Sequence, residues 1–174
     1  MKLNIGCGNI HKEGWINIDI ANFGAADVIH DATKPFPYEN NSIDFIYSEH
    51  FIEHITLADG LSFFKEAYRM LKKDGVMRIA CPDLDVTIDQ FINDSWREDF
   101  ARNNIPATTR CEMLDMTMRG WGHLYLYNYE EMEIRLKQCG FNQIERKELY
   151  ESSYPELNNM ETRWASFLVV ETIK

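Results

Sequence analysis

Gly6-Cys7-Gly8 ends a short run of alternating apolar residues, and a carboxylate, Asp19, ends the next such run. Glycines at a turn of this kind let a ligand approach bare backbone. A carboxylate at the tip of a neighbouring strand accepts hydrogen bonds from both hydroxyls of a ribose. Further along, His50-Phe51-Ile52-Glu53-His54 packs two imidazoles and a carboxylate at the i, i+3, i+4 spacing of one helical face. His123 lies far away in sequence, among Trp121, Tyr125, Tyr127 and Tyr129. Imidazole titrates near neutral pH, so His123 first and His50 second are the candidates to take a proton. The blander readings are a structural Glu53-His54 pair and a histidine bonded inside an aromatic core. The spacing also suits divalent-metal ligation, and with His123 it could make a divalent site, but the sequence alone assigns no metal.

These residues need strands and turns to hold them. Leu3 and Ile5 alternate with polar neighbours before the glycine turn, and Trp15 to Ile20 alternates again, ending near Asp19. Ala26 to Asp31 reads as a third short strand, after which Pro35 and Pro37 break regular structure. Ser42 to Tyr47 is a fourth, which leaves His50 just beyond a strand end. Leu61, Phe64, Tyr68 and Leu71 share a helical face, and Lys72-Lys73-Asp74-Gly75 predicts that this helix closes on a glycine cap. Val76 to Ala80 is a fifth strand, halted by Pro82. Asn128-Tyr129-Glu130-Glu131 resembles a capping box ahead of an apolar stripe through Met132, Leu136 and Cys139. Phe141 to Tyr150 and Ala165 to Ile173 close the chain as two more strands.

The alternation predicts a Rossmann-like α/β fold: a doubly wound, mostly parallel sheet of about seven strands in one domain spanning 1–174. Residues 83–127 fit it worst, with four arginines and no lysine. They are read as a helical insertion after the fifth strand that caps the site, with an ordinary crossover helix as the alternative.

Composition narrows the function classes. The chain has 174 residues, 45% hydrophobic and 26% charged, as expected of a globular domain. A net charge of −10 and only two adjacent basic pairs, Lys72-Lys73 and Arg146-Lys147, argue against a nucleic-acid partner. The apolar runs are strand-sized, so no membrane span is expected. The strand pattern starting at Met1 leaves no signal peptide, which predicts a cytoplasmic protein. Cys7, Cys81, Cys111 and Cys139 lack metal-binding spacing and are expected to be reduced.

The stretch between the glycine turn and the second strand discriminates between ligands. A dinucleotide fingerprint needs a third glycine and a helix whose amino end meets the pyrophosphate. Here the third glycine is replaced by His11, and only Asn9 to Gly14 are left for the crossover. At about 1.5 Å per residue that is no usable helix. A pyrophosphate cofactor loses its anion site, whereas S-adenosyl-L-methionine carries no phosphate and loses little.

Leu3 to Gly8, Trp15 to Asp19, Asp31-Ala32 before Pro35-Phe36-Pro37, Ser42 to His54 and Leu71 to Gly75 follow one another in an order that resembles the class I S-adenosylmethionine-dependent methyltransferases. The resemblance covers roughly residues 2–82. It implies that Gly6, Cys7 and Gly8 lie under the methionine part of the donor and that Asp19 and Ile20 lie at the ribose. It likewise implies Asp31 and Ala32 at the adenine edge, with Ser48 and Glu49 near the donor. His123-Leu124-Tyr125 and the later Glu151-Ser152 and Pro155-Glu156-Leu157 are similar to small bacterial members associated with glycan assembly, which implies a small-molecule or glycan-linked acceptor methylated at oxygen. A non-catalytic binding module of the same fold and an NAD-dependent oxidoreductase are the alternatives.

Overall fold

The computed structural model describes all 174 residues. In chain order the elements are β1 (Lys2–Ile5), β2 (Ile16–Asp19), β3 (Val28–Ile29), β4 (Ile43–Glu49), α1 (Leu57–Met70), β5 (Leu71–Cys81), α2 (Leu84–Asn93), α3 (Arg97–Arg102), α4 (Arg110–Arg119), α5 (Tyr129–Gln138), β6 (Gln143–Lys147) and β7 (Leu168–Ile173). The strands form one sheet in the order β3-β2-β1-β4-β5-β7-β6. Neighbours from β3 through β5 are parallel, and β7 runs antiparallel between β5 and β6. This is the expected mostly parallel, Rossmann-like sheet. Because β1 is flanked by β2 on one side and β4 on the other, the chain reverses its strand order there, which opens a crevice beyond the carboxyl ends.

Residues 6–15 join β1 to β2 without a helix. Buried asparagines do the work a helix would otherwise do. Asn17, fully buried on β2, accepts from Lys12 N and from Asn4 Nδ2 (both 2.9 Å) and donates to the Lys12 and Trp15 carbonyls. One face of the sheet carries the main core, where α1 and α5 pack over Leu3, Ile5, Ile46, Met77 and Ile79. On the face where the missing helix would lie, Trp15, Tyr47, Val76, Leu157 and Met160 make a smaller cluster. Beneath it Arg78, wholly buried, pairs with Glu161 (2.6 Å) and Glu171 (2.7 Å), fastening residues 148–161 to the sheet.

One expectation is corrected. The helix α1 stops at Met70, and Lys72–Gly75 is not its glycine cap. Leu71 turns directly into extended backbone, pairs with Ile43 and is fully buried. Pairing resumes at Val76 opposite Phe45, so 72–75 bulges out of the ladder. The left-handed residue is Asp74 (φ 64°), while Gly75 is needed for close approach, since a Cβ there would lie 2.9 Å from the Lys72 carbonyl oxygen. Burial of Leu71 against the sheet overrides the local helix-end signature.

Residues 83–127 fold as three helices with a small core of their own around Trp96, Phe100 and Met113. Asp83 caps α2 and a Thr109–Glu112 capping box starts α4. A tight turn at Gly120–Gly122 then returns the chain to the sheet, where Leu124 N donates to the Glu53 carbonyl (2.7 Å). That bond brings His123 beside His54. No helix is long and apolar enough to cross a membrane.

Candidate functional site

Two cavities open at the carboxyl ends of the parallel strands. The first, of 420 Å³, lies over the glycine turn and is lined by Gly6, Gly8, Asp19, Ile20, Asp31 and Ala32, six of the residues expected there. Gly6 and Gly8 take left-handed φ values of 72° and 55°. A Cβ on Gly6 would fall 2.7 Å from that of Phe51, so the backbone must stay bare. Asp19 accepts from Gly8 N and from Ile20 N, each at 2.7 Å through a different oxygen. Each oxygen keeps a lone pair for a ligand hydroxyl. Asp31 is turned onto its own loop, where the Thr33 hydroxyl and amide hold it below the usual carboxylate range. Bare backbone, a free-edged carboxylate and no helix start for a phosphate suit an adenosyl donor without pyrophosphate.

Three of the expected residues are placed differently. Cys7 faces a small recess behind the turn, with Asn4, Lys12 and Tyr47, rather than the main crevice. Burial, helped by the Asp19 charge, pushes its thiol up to about 11, so it is an inert packing group. Ser48 is buried with its hydroxyl unpartnered. Glu49 turns away from the crevice onto the loop before β7, accepting from Thr162 N and Oγ1, Arg163 N and Ser166 Oγ. Burial by itself would raise this carboxyl, but those hydrogen bonds outweigh it and hold it below its usual value.

Glu49 is thus a clamp for the segment that carries Arg163. Glu49→Gln replaces an acceptor-only group with one that also presents N–H donors to N–H donors. Amide exchange at Thr162 and Arg163 should accelerate roughly tenfold or more while the sheet core stays protected. Unchanged exchange would show that the clamp holds nothing. The depressed folded value gives the sign with pH. The clamp is intact above the ordinary glutamate value of about 4.3 and is lost as pH falls through the lower folded value.

The second cavity, of 650 Å³, lies between α2–α4 and residues 162–167. It meets the first along His50, His54 and Arg163, which line both. His50 is held left-handed (φ 50°) by its amide on the Ala80 carbonyl, and its Nδ1 lies 3.1 Å from Glu53. Its Nε2 is buried without a hydrogen-bond partner. His54 packs edge-on against His123, ring centroids 5.0 Å apart. Burial lowers the His54 pKa, against the pull of Glu53 in the other direction, which favours the neutral ring. His123 lines the second cavity, and its Nδ1 sits 2.7 Å from the Thr117 carbonyl oxygen. That nitrogen must be the N–H donor, which leaves Nε2 with the free lone pair.

Sequence reading missed Phe23, His30, Phe51 and Arg163 in the first cavity. Phe51 was findable, since it lies inside the His50–His54 motif. Arg163 was not. It reaches the glycine turn from the far end of the chain, its Nη2 3.5 Å from where a Gly8 Cβ would be.

Residues 3–79 match a family model described as a methyltransferase domain. No curated protein matches the chain. Among solved structures, a SAM-dependent methyltransferase from Archaeoglobus fulgidus is 17% identical with TM-score 0.62, over 99% of this chain and 85% of that one. One from Thermotoga maritima is also 17% identical, with TM-score 0.57 over 99% and 81%. A phosphoethanolamine N-methyltransferase from Haemonchus contortus, solved with S-adenosylhomocysteine, is 22% identical with TM-score 0.50, over 84% of this chain and 34% of that one. The chain shares its fold with these structures, and the methyltransferase-domain match runs across the strands that hold the crevice beside β1 and β2.

Proposed function

We propose that the chain methylates a hydroxyl of a small or glycan-linked acceptor held in the 650 Å³ cavity, with α2–α4 acting as a cap over it. The observation that carries this reading is the meeting of the two cavities along His50, His54 and Arg163. A donor over the glycine turn and an acceptor under the cap would face each other there. Gln90, Asn103 and Thr117 offer hydrogen bonds in the acceptor cavity, and Trp121 and Trp164 offer flat aromatic faces, a mixture suited to a polyol or sugar. The net charge of −10 keeps nucleic acid out of the proposal, and four free cysteines fit a reducing cytoplasm.

The bound donor supplies a methyl group already activated on a sulfonium sulfur, so the protein's contribution is orientation and proton removal. Asp19 holds the ribose hydroxyls, and Arg163 takes the methionine carboxylate in place of the missing first helix. The acceptor oxygen bonds the methyl carbon as the carbon–sulfur bond breaks. Its proton is drawn off at the His54–His123 edge, where His123 Nε2 is the free lone pair. His50 acts through Glu53 as a positioning residue. Calorimetric titration with S-adenosylmethionine and S-adenosylhomocysteine, followed by a labelled-methyl screen of sugars and nucleotide sugars, tests the reading. Saturable binding of both and label on a hydroxylated acceptor are expected. No binding to ligand-stripped protein would sink it, and label confined to amines would overturn the oxygen assignment.

A further inference from the structure

We propose that Glu53, His54 and His123 bind a divalent transition-metal ion of the zinc class where the acceptor cavity meets the donor crevice. Each side chain offers one ligand atom, and the three atoms lie within 4.8 Å of one another. Ligands on a tetrahedral ion with bonds of about 2.0–2.2 Å sit roughly 3.3–3.5 Å apart, so a small closure of the side chains completes the set.

Two independent observations point to a cation. Glu53 is 1% exposed, and neither carboxylate oxygen has a hydrogen-bond partner. His50 Nδ1 is near at 3.1 Å but not aligned as a bond. A buried carboxylate is retained where something compensates its charge, and a metal ion is one such group. His123 is the second. Its Nδ1–H is spent on the Thr117 carbonyl, which fixes the ring and turns a lone pair outward, as second-shell carbonyls do for ligating imidazoles. The site is also pre-assembled across the fold, because the bond from Leu124 N to the Glu53 carbonyl fastens the end of the cap segment to the turn that carries Glu53 and His54.

The donor set names the class of ion. Two imidazoles and one carboxylate suit zinc, cobalt or iron(II), whereas magnesium and calcium take oxygen. Three protein ligands leave an open position, and His54 and His123 both line the acceptor cavity. What the ion would do there rests on the methyltransferase reading. An acceptor hydroxyl in the open position would have its pKa lowered and release its proton to water in the cavity, and the resulting oxygen would take the methyl group. With the ion bound, the His123 Nε2 lone pair would be a ligand, and this proton release to water would replace the direct removal by His123 proposed for the metal-free site.

The test uses the full chain, stripped with chelator and titrated with cobalt(II) chloride by visible absorption and calorimetry. One saturable site with d–d absorption is expected, displaced by zinc and indifferent to excess magnesium. His123→Ala and His54→Ala should each weaken cobalt binding at least tenfold while circular dichroism and thermal unfolding of the same samples show the fold intact. Glu53→Gln should do the same if it folds. Absence of saturable cobalt uptake, or uptake unchanged in both histidine variants, overturns the proposal. Donor binding without cobalt uptake leaves the methyltransferase reading standing alone; cobalt uptake without donor binding supports the metal site and sinks that reading.

Discussion

Asp19→Ala weakens binding of S-adenosylmethionine, S-adenosylhomocysteine and 5′-methylthioadenosine alike, by about ten- to a hundredfold. All three ligands carry the ribose, and a lost charge-assisted hydrogen bond costs about 1.5–3 kcal/mol, which at 1.4 kcal/mol per decade gives that range. Alanine also removes the acceptor for Gly8 N and Ile20 N, so the glycine turn loosens at the same time. Asp19→Asn separates the two effects. It keeps one oxygen for one amide, so the turn is partly restored while the negative charge at the ribose is gone. If the ribose bond dominates, the asparagine variant stays weak; if the turn dominates, it recovers. Calorimetry on the three ligands reads both variants, and unchanged affinities in the alanine variant would place the ribose elsewhere.

Such a variant could be chosen before any coordinates, because the residues near the amino end announce their places through local pattern. Leu3 and Ile5, and then Ile16 and Ile18, alternate as strands must, and the few residues between Gly8 and Trp15 ruled out a helix by length alone. The structure has none there. Where the pattern misled, a long-range contact had decided the outcome. Lys72-Lys73-Asp74-Gly75 has a helix-end composition, yet Leu71 is already paired with Ile43 and buried, so the helix ends earlier than its signature.

The site divides along the same line. Gly6, Gly8, Asp19 and Asp31 sit at strand ends or tight turns, where residue type and position are coupled by backbone geometry. Glu49 carries no such coupling: its strand-end position is the same whether it faces a ligand or the loop at Thr162, and the choice is made by amides more than a hundred residues away. The His50–His54 motif announced its convergence with itself; its meeting with His123 was open in the sequence, because it depends on residues 83–127 returning to Glu53.

Arg163→Ala then gives the complementary result. S-adenosylmethionine and S-adenosylhomocysteine lose about tenfold or more in affinity, whereas 5′-methylthioadenosine, which has no carboxylate, is unaffected. Arg69, Arg78 and Arg146 are all ion-paired within the chain, but Arg163 has no carboxylate partner. Its guanidinium instead hangs over Gly8 and lines both cavities. In an ordinary fold of this kind a helix start would face the donor there; here residues 6–15 provide none. A fixed, always-charged fork of N–H donors is the group that can replace it, binding the carboxylate through two parallel bonds. One such charge-assisted contact at a partly open site lies toward the lower end of about 1.5–3 kcal/mol, hence the tenfold figure. Arg163→Lys should recover part of the loss, since it restores the charge without the fork. Glu49→Gln should give a weaker version of the alanine effect with the same ligand selectivity, because it frees the loop without removing the guanidinium. An equal loss for 5′-methylthioadenosine would mean that Arg163 shapes the crevice as a whole, and the carboxylate assignment would fall.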